Sequence, residues 1–372
     1  MPLIAVAANT AWNIVNYRSG LIKTLIAAGC EVAVIAPDGP QADVVRALGA
    51  RFHPLAMQPR GRSPLADLAL LARYRRLLGQ LKPAAFVGFT AKPNIWGALA
   101  ARSLNIPLFA NISGLGAVFS GGGPLQRLVA VLYRRALRRP ATVFFQNPDD
   151  RDLFIERGIV AADQARLLPG SGIDLDYFAP RPADRAAPRP FTFLFAGRLL
   201  KAKGVAEFVA AGLQLRAEGK NVALHILGLV EPGPSAVARS ALEQWQADGA
   251  ATYLGSTDDV RPMIAAADCV VLPSYYREGV PHILLEAAAM GKPVITTDMP
   301  GCRLAVDDAV NGYLCAPRSI GSLAEAMARM AALDPAALAE LGRAGRAKME
   351  REFDQGLVHA CYIDALAQAA IL

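Results

Sequence analysis

The chain of 372 residues has little of what builds a disulfide-linked, zinc-bound or membrane-spanning protein. Its four histidines are scattered, so no zinc-type cluster is visible. No run of about 18 apolar residues is present, and Met1 leads straight into a strand-like segment rather than a signal peptide. We therefore expect a cytoplasmic protein. Five cysteines without Cys-x-x-Cys spacing argue against a disulfide framework, and we predict core positions for most of them: Cys30, Cys269, Cys302, Cys315 and Cys361.

Acidic residues are scarce in the first half of the chain. Residues 1–170 contain 20 Lys and Arg against 9 Asp and Glu, a net charge of +11, whereas residues 171–372 contain 19 against 23, a net of −4, in agreement with +7 overall. Between Asp43 and Asp149 the only acid is Asp67. A one-sided basic domain predicts a polyanionic partner, which is a membrane, a diphosphate or nucleic acid. The basic residues of this stretch include Arg60, Arg62, Arg73, Arg75, Arg76, Arg134, Arg135, Arg138 and Arg139.

Short apolar runs alternate with helical patterns along the whole chain. With 53% hydrophobic and 19% charged residues, a sizeable core is expected. The alternation predicts an α/β fold with doubly wound parallel sheets and helices on both faces. A Pro-rich stretch without periodicity, at 180–190, indicates a linker. We therefore predict two Rossmann-like domains, 1–170 and 191–354, joined by residues 171–190 and facing each other across a ligand cleft.

Residues 268–297 contain a strand, a loop and a helix that together place two carboxylates. The run from Cys269 to Leu272 is typical of a buried strand, and helical spacing begins at His282. Glu278 lies in the loop and Glu286 in the helix. Because ligands bind where strands end in an open α/β sheet, and helix starts hold anions, Glu278 is predicted to face a ligand. Alone, such a Glu pair is more often solvated.

A second loop, at 195–204, combines a glycine turn with cations before a helix. Arg198 can fork two phosphate oxygens, and Lys203 adds a point charge, so the loop suits a diphosphate. It lacks both Gly-x-Gly-x-x-Gly and Gly-x-x-x-x-Gly-Lys-Ser/Thr, so neither dinucleotide nor P-loop binding is indicated.

Arg198 and Lys203, together with the spaced pair Glu278 and Glu286, resemble the family 4 retaining glycosyltransferases of GT-B fold. The resemblance covers nearly the whole chain. Segments 87–94, 111–116, 145–148, 169–174 and 298–303 are similar to the subset that acts on undecaprenyl-diphosphate-linked sugars. Within it, the chain looks like the N,N'-diacetylbacillosaminyl-diphospho-undecaprenol α-1,3-N-acetylgalactosaminyltransferase type.

The resemblance implies roles for each matching residue. Arg198 and Lys203 would neutralise the donor diphosphate and stabilise the leaving nucleoside diphosphate, with no metal and no cofactor. Glu278 would face the donor sugar and the positive charge that develops at its anomeric carbon; a covalent nucleophile is the less favoured role. Glu286 would accept hydrogen bonds from the ribose. Donor contacts would also come from Gly279, Val280 and Pro281.

For the first domain the resemblance implies an acceptor site and a polyprenyl-diphosphate-linked glycan. Many relatives have a His there, whereas this chain has Thr90 and Lys92, either of which could replace it. The donor is expected to be a UDP-sugar, N-acetylgalactosamine or a related hexose. The last helix, 355–372, is expected to pack back on the first domain. Residues that match the acceptor side are Lys92, Asn94, Asn111 and Gly114.

The segment 125–139 has a helical stripe of apolar residues opposite several arginines. It is either a surface helix with a solvated basic face or a helix that lies on anionic lipid. We favour peripheral contact with the inner face of the plasma membrane, with Leu115 and Phe119 dipping into the interface.

Other motifs leave alternatives open. Asp174 and Asp176 match Asp-x-Asp, although a turn is favoured over a metal site. His282 either starts a helix or contacts the sugar. Residues 121–123 are a glycine run that either cradles phosphate or forms a flexible loop. A UDP-sugar 2-epimerase of the same two-domain form is a rival function. A nucleic-acid-binding protein is disfavoured, because aromatics are 7% and are not interleaved with the basic residues.

Overall fold

The structure, a computed structural model, describes residues 1–58, 63–116, 119, 123–138, 142–181 and 189–372. Residues 182–188 of the Pro-rich stretch lie outside the described residues, as do Arg60, Arg62, Arg139, Gly121 and Gly122. The chain forms two compact units, Met1–Gly172 with Gln355–Leu372, and Ile173–Asp354.

The first unit is built on a parallel sheet of seven strands in the order β3-β2-β1-β4-β5-β6-β7. The strand order reverses between β1 and β4, which are hydrogen-bonded neighbours. The central strands are buried on both faces, which explains their continuous apolar sequence. The strands are β1 (Leu3–Ala7), β2 (Glu31–Ala36), β3 (Arg51–Pro54), β4 (Ala85–Phe89), β5 (Leu108–Ile112), β6 (Thr142–Phe145) and β7 (Ala165–Leu167).

Local capping sets the helix starts of this unit. Thr10 accepts a hydrogen bond from the backbone N–H of Asn13, so the first helix begins at Ala11. Pro64 and Pro148 stand in the first turns of their helices, after the caps Ser63 and Asn147. The helices are α1 (Ala11–Ala27), α2 (Ala42–Ala47), α3 (Pro64–Leu81), α4 (Ala98–Ser103), α5 (Pro124–Ala136) and α6 (Pro148–Glu156).

The second unit has a parallel sheet of six strands in the order β10-β9-β8-β11-β12-β13. Its order reverses between β8 and β11. Ile173 and Phe178, before the Pro-rich stretch, are buried in the core of this unit. The strands are β8 (Phe191–Ala196), β9 (Val222–Leu227), β10 (Thr252–Tyr253), β11 (Cys269–Leu272), β12 (Val294–Thr297) and β13 (Gly312–Cys315). The helices are α7 (Val205–Ala217), α8 (Arg239–Ala247), α9 (Arg261–Ala266), α10 (His282–Ala289), α11 (Ile320–Ala331) and α12 (Pro335–Lys348).

The last helix, α13 (Gln355–Gln368), belongs to the first unit. Its Tyr362 ring lies 4.5 Å from the ring of Phe144 and 6.1 Å from that of Phe89, measured between centroids. The Tyr362 hydroxyl accepts a hydrogen bond of 2.8 Å from Nδ2 of Asn111. His359 lies 3.1 Å from the hydroxyl of Thr24 on α1. The helix therefore closes one face of the first sheet with both apolar and polar contacts.

Most of the predicted segment 125–139 lies in α5, which spans Pro124–Ala136, but the apolar stripe of this helix is divided. Tyr133 is buried, whereas Leu125 and Leu128 are 39% and 55% exposed. Arg134 donates to the carbonyls of Arg157 and Gly158, beyond the end of α6, so it holds a helix terminus rather than lining a free basic face.

The predicted exposure of Leu115 and Phe119 was wrong. Both are buried, and the Phe119 ring lies 5.6 Å from that of Phe154 and 6.3 Å from that of Tyr133. Phe119 therefore belongs to an aromatic cluster inside the first unit, because burial against these two rings removes its apolar surface from solvent.

Candidate active site

The loops that follow β8 and β11 lie side by side at the carboxyl edge of the second sheet. Because the strand order reverses between these two strands, their connections diverge to opposite faces and leave a crevice. The first loop contains Arg198 and Lys203, and the second contains Glu278. The two loops are joined by a hydrogen bond of 2.9 Å from the Tyr275 N–H to the Ala202 carbonyl.

Lys203 and Glu278 form a buried ion pair at this position. The Lys203 ammonium donates to Oε2 of Glu278, and the two side chains are only 9% and 13% exposed. The other carboxylate oxygen, Oε1, accepts a hydrogen bond of 2.7 Å from the Ser274 hydroxyl. A charged pair away from water is favourable only when its remaining hydrogen-bonding positions are also filled. The carboxylate is therefore held at both oxygens.

Two glycines make the close packing of these loops possible. Gly204 has a φ of +80°, and a Cβ there would lie 2.8 Å from Cγ of Pro273 and closer to the Pro273 carbonyl oxygen. Gly301 has a φ of +81°, and a Cβ there would lie 2.7 Å from the carbonyl oxygen of Glu278 and closer to that of Gly279. Only glycine fits both positions without moving backbone. The loop after β12 thus packs directly against the backbone of the Glu278 loop.

The next residue, Cys302, is fully buried near the Lys203–Glu278 ion pair. Burial, with a smaller effect from the charge of Glu278, raises the pKa of the Cys302 thiol to about 12. The thiol is therefore protonated at neutral pH and acts as a small apolar group rather than a nucleophile. Its side chain also contacts Thr296 and Thr297.

Arg198 reaches the same crevice but is more exposed. Its side chain is 45% exposed, and Nη1 lies 3.7 Å from Oε2 of Glu231. The guanidinium also lies 5.9 Å from the ring centroid of Tyr276. Glu231, Tyr276 and Ser274 were not singled out from the sequence, because no spacing rule links Glu231 to Arg198, 33 positions earlier.

The second carboxylate, Glu286, lies on α10 and is paired with the first residue of that helix. Nδ1 of His282 is 2.8 Å from Oε1 of Glu286, and each side chain is 15% exposed. His282 therefore starts the helix, as one of its two predicted roles required, and also orients Glu286. Gly279, Val280 and Pro281 lead into this helix and are buried.

Three of the four residues expected on the acceptor side, Lys92, Asn94 and Asn111, have side-chain hydrogen bonds or ion pairs. Lys92 forms an ion pair of 2.6 Å with Asp67. Asn94 is buried and donates from Nδ2 to the Asn111 carbonyl at 2.7 Å. Asn111 is also buried, and Gly114 has a φ of +99°. The structure thus brings Asn94 and Asn111 together and pairs Lys92 with Asp67.

The remaining sequence motifs have structural roles. Oδ1 of Asp174 accepts from the N–H groups of Asp176 and Tyr177, at 3.2 and 2.9 Å, which confirms the predicted turn. Four of the five cysteines are buried, as predicted, and Cys361 is half-buried. Across the described ranges, no three His, Cys, Asp or Glu residues are grouped as metal ligands. Within the same part of the chain, every helix is too short or too polar to span a bilayer.

Comparison with known proteins places both units in one group of enzymes. Residues 190–332 match the family model described as glycosyl transferases group 1, and residues 14–171 match that of the glycosyl transferase 4-like domain. The chain is 26% identical over 328 residues to the N,N'-diacetylbacillosaminyl-diphospho-undecaprenol α-1,3-N-acetylgalactosaminyltransferase of Campylobacter jejuni, covering 84% of this chain and 85% of that protein.

Solved structures with the same fold extend over the whole chain. Sucrose-phosphate synthase from Thermosynechococcus elongatus superposes with a TM-score of 0.82 at 21% identity and covers 99% of both chains. HepE from Anabaena, solved with UDP-glucose, superposes with a TM-score of 0.79 at 18% identity and covers 99% of this chain and all of its own. The predicted GT-B fold, with two Rossmann-like domains, is confirmed.

Proposed function

We propose that this chain, which belongs to the family 4 glycosyltransferases and is a hexosyltransferase, transfers a sugar from a UDP-sugar to an undecaprenyl-diphosphate-linked glycan. The observation that carries the donor half is the Lys203–Glu278 pair at the switch point of the second sheet. The acceptor half is supported by the Campylobacter jejuni relative, whose name states an undecaprenol-linked acceptor. The HepE complex with UDP-glucose supports a UDP-linked donor.

The proposed donor site uses two cations in place of a metal. Lys203 and Arg198 would contact the donor diphosphate and stabilise the charge that grows on it as the glycosidic bond breaks. Arg198 is exposed enough to turn from Glu231 towards a phosphate. Lys203 is held by Glu278 before the donor arrives, so a phosphate would exchange one anionic partner of the ammonium for another.

Glu278 would then be placed beside the reacting sugar. Its carboxylate stabilises positive charge that develops at the anomeric carbon, and its fixed position lowers the cost of reorganisation. A donor phosphate oxygen would accept the proton of the acceptor hydroxyl on the face that the leaving group vacates, which retains the anomeric configuration. Glu286, oriented by His282, would accept from the ribose hydroxyls. Backbone N–H groups of Gly279 and Val280, before α10, would hold the sugar or phosphate.

The proposed acceptor enters through the basic first domain. Leu125 and Leu128 on α5 present an apolar surface to solvent, and Arg127 on the same helix and Arg138 just after it are exposed. Each basic residue near an anionic bilayer contributes about 1 kcal/mol of attraction. We propose that α5 contacts the inner face of the plasma membrane, where a polyprenyl-linked acceptor is found.

The test is UDP release from a panel of UDP-sugars, with and without an undecaprenyl-diphosphate-linked sugar, in buffer with and without EDTA. We expect release from one donor, only with acceptor, unchanged by EDTA. Lys203→Ala and Glu278→Gln should each lower the rate at least about 100-fold, because each removes a charge used in the transition state. The exposed residues Lys201 and Glu243 supply the matched controls Lys201→Ala and Glu243→Gln, which should stay close to wild type.

Retention is tested by NMR, which gives the anomeric configuration of the product. Turnover that is indifferent to Lys203 and Glu278, or that stops with EDTA and returns with a divalent cation, would contradict the proposed site. N-acetylgalactosamine is the first donor to test, since the Campylobacter jejuni relative is named for it.

A further inference from the structure

The first unit contains a buried cation without an anionic partner. Arg18, on α1, is only 3% exposed. Among the residues that the structure describes, no carboxylate forms an ion pair with it, and its Nε has no hydrogen-bond acceptor. Burial lowers the pKa of Arg18, yet a guanidinium keeps its charge at neutral pH. Within the described ranges, the charge of this buried side chain therefore has no anionic counterpart.

Other buried cations of the chain are compensated. Lys203 pairs with Glu278, and Lys348 lies 2.9 Å from a carboxylate oxygen of Asp307. Lys292 donates to two backbone carbonyls, each at 2.8 Å. Unpaired burial of a charge is strongly unfavourable, so Arg18 stands apart from these three in needing an external partner.

The surroundings of Arg18 place it at the switch point of the first sheet. Its guanidinium lies 4.1 Å from the ring centroid of Phe89, the last residue of β4. α1 follows β1, and β1 and β4 are the strands between which the order reverses. This is the same topological position that Lys203 and Glu278 occupy in the second sheet, and it is where open α/β sheets bind ligands.

Two polar atoms near the carboxyl ends of β4 and β5 also lack partners among the described residues. Thr90, directly after Phe89, has a buried hydroxyl without a hydrogen bond, and the side-chain carbonyl oxygen of Asn111 is also buried and unpaired. Asn111 is bonded to Tyr362, whose ring contacts that of Phe89. A ligand that suits this set must bring an anion to Arg18 and a hydroxyl donor to the Asn111 amide oxygen. A sugar joined to a phosphate has both.

We propose that Arg18 binds a phosphate of the acceptor's diphosphate, while the amide oxygen of Asn111 accepts a hydrogen bond from a hydroxyl of its sugar. The proposal rests on the proposed function, since it names the residue that recognises the charged part of that acceptor. Arg18 is a second diphosphate site in this chain, separate from that of Lys203. Tyr362 is a positioning residue, because it acts through its hydrogen bond with Asn111.

The first experiment measures binding of inorganic pyrophosphate without any turnover. Arg198→Ala/Lys203→Ala removes both cations of the proposed donor site, and pyrophosphate is titrated against this background and against the same background with Arg18→Gln added, while Tm is followed. A ligand that binds only the folded state raises Tm. We expect the rise in the Arg198→Ala/Lys203→Ala background and its loss when Arg18→Gln is added. An equal rise in both would overturn the proposal.

The second experiment measures acceptor KM in the full chain. Arg18→Gln should raise KM for the lipid-diphosphate-linked acceptor at least about tenfold, leave KM for the donor unchanged, and be partly rescued in Arg18→Lys. Arg46→Gln is the matched control, since Arg46 also lies over a phenylalanine ring, at 5.4 Å from that of Phe52, but is exposed and paired with Asp43. Circular dichroism and Tm establish that each variant is folded.

The two experiments separate the possible failures. Loss of pyrophosphate binding with an unchanged acceptor KM would identify a site for free phosphate and overturn the acceptor assignment. If Arg18→Gln changes neither pyrophosphate binding nor the acceptor KM, Arg18 is a structural cation only and the proposal is overturned. If no lipid-linked acceptor supports turnover, the proposed function fails, while the pyrophosphate titration still decides whether Arg18 binds a phosphate.

Discussion

Replacing Gly301 by alanine tests how the loop after β12 supports the candidate active site. The new methyl group would lie 2.7 Å from the Glu278 carbonyl oxygen and closer to that of Gly279, and both contacts are with backbone rather than with a flexible side chain. The φ of +81° adds a second penalty. A left-handed conformation costs a non-glycine residue about 1–2 kcal/mol. Overpacking of a tight contact costs a further 1–3 kcal/mol or so.

The sum predicts that Gly301→Ala loses about 2–5 kcal/mol of the free energy of unfolding. Gly219→Ala is the matched control, because Gly219 lies in the same unit with a φ of +79° and has no atom within 4 Å of the position of a Cβ. It should lose only the left-handed penalty of about 1–2 kcal/mol. The entropy that alanine removes from the unfolded chain is the same in both variants, so it cancels in the comparison.

Urea unfolding, followed for the second unit, gives the two midpoints, and UDP release gives the activity. Because Gly301 contacts the backbone of Glu278, its replacement should move that carboxylate, and a displacement of about 1 Å can lower a rate about 100-fold. Gly219→Ala should keep its activity. Equal losses of stability in the two variants, or full activity in Gly301→Ala, would refute the view that this glycine sets the position of Glu278.

Two further predictions concern Cys302 and α5. Above pH 9 the unfolded chain releases the Cys302 proton, whereas the folded chain, with a pKa of about 12, keeps it, so stability falls as the pH rises, by at most about 1.4 kcal/mol per pH unit. Between about pH 8.5 and pH 10, the urea midpoint of wild type should therefore drop more than that of Cys302→Ala. An equal drop in the two proteins would contradict a protonated thiol in the folded state. Leu128→Asp should weaken flotation with anionic vesicles, whereas Leu213→Asp, at a comparably exposed leucine of the second unit, should not; equal flotation of both would argue against α5 as the membrane contact.

Much of the fold was predictable because the central strands are buried on both faces. Their apolar runs, followed by glycine and proline, indicated β8 and β11 and the loops between which the candidate site lies. The fold, the family and the hexosyltransferase class follow from these same segments and are confirmed. Roles of the individual site residues stay proposals, which the Lys203, Glu278 and Arg18 variants test.

The errors lie where tertiary contacts override local pattern. Phe119 was expected at a membrane surface, because it precedes the basic helical segment 125–139, whereas Tyr133 and Phe154 enclose it. No local signal in a sequence distinguishes an aromatic side chain that meets lipid from one that meets other rings.

The sequence by itself determined the two parallel sheets, the positions of the loops at their carboxyl edges and the chemical types of the side chains in those loops. Local propensity and the period of apolar residues are enough for this. Only the tertiary structure decided which side chains meet. Lys203 and Glu278 are 75 positions apart, and Asn111 and Tyr362 are 251 apart. Such pairs depend on strand order and on where α13 packs, and the same long-range packing buries Arg18 without a carboxylate among the described residues.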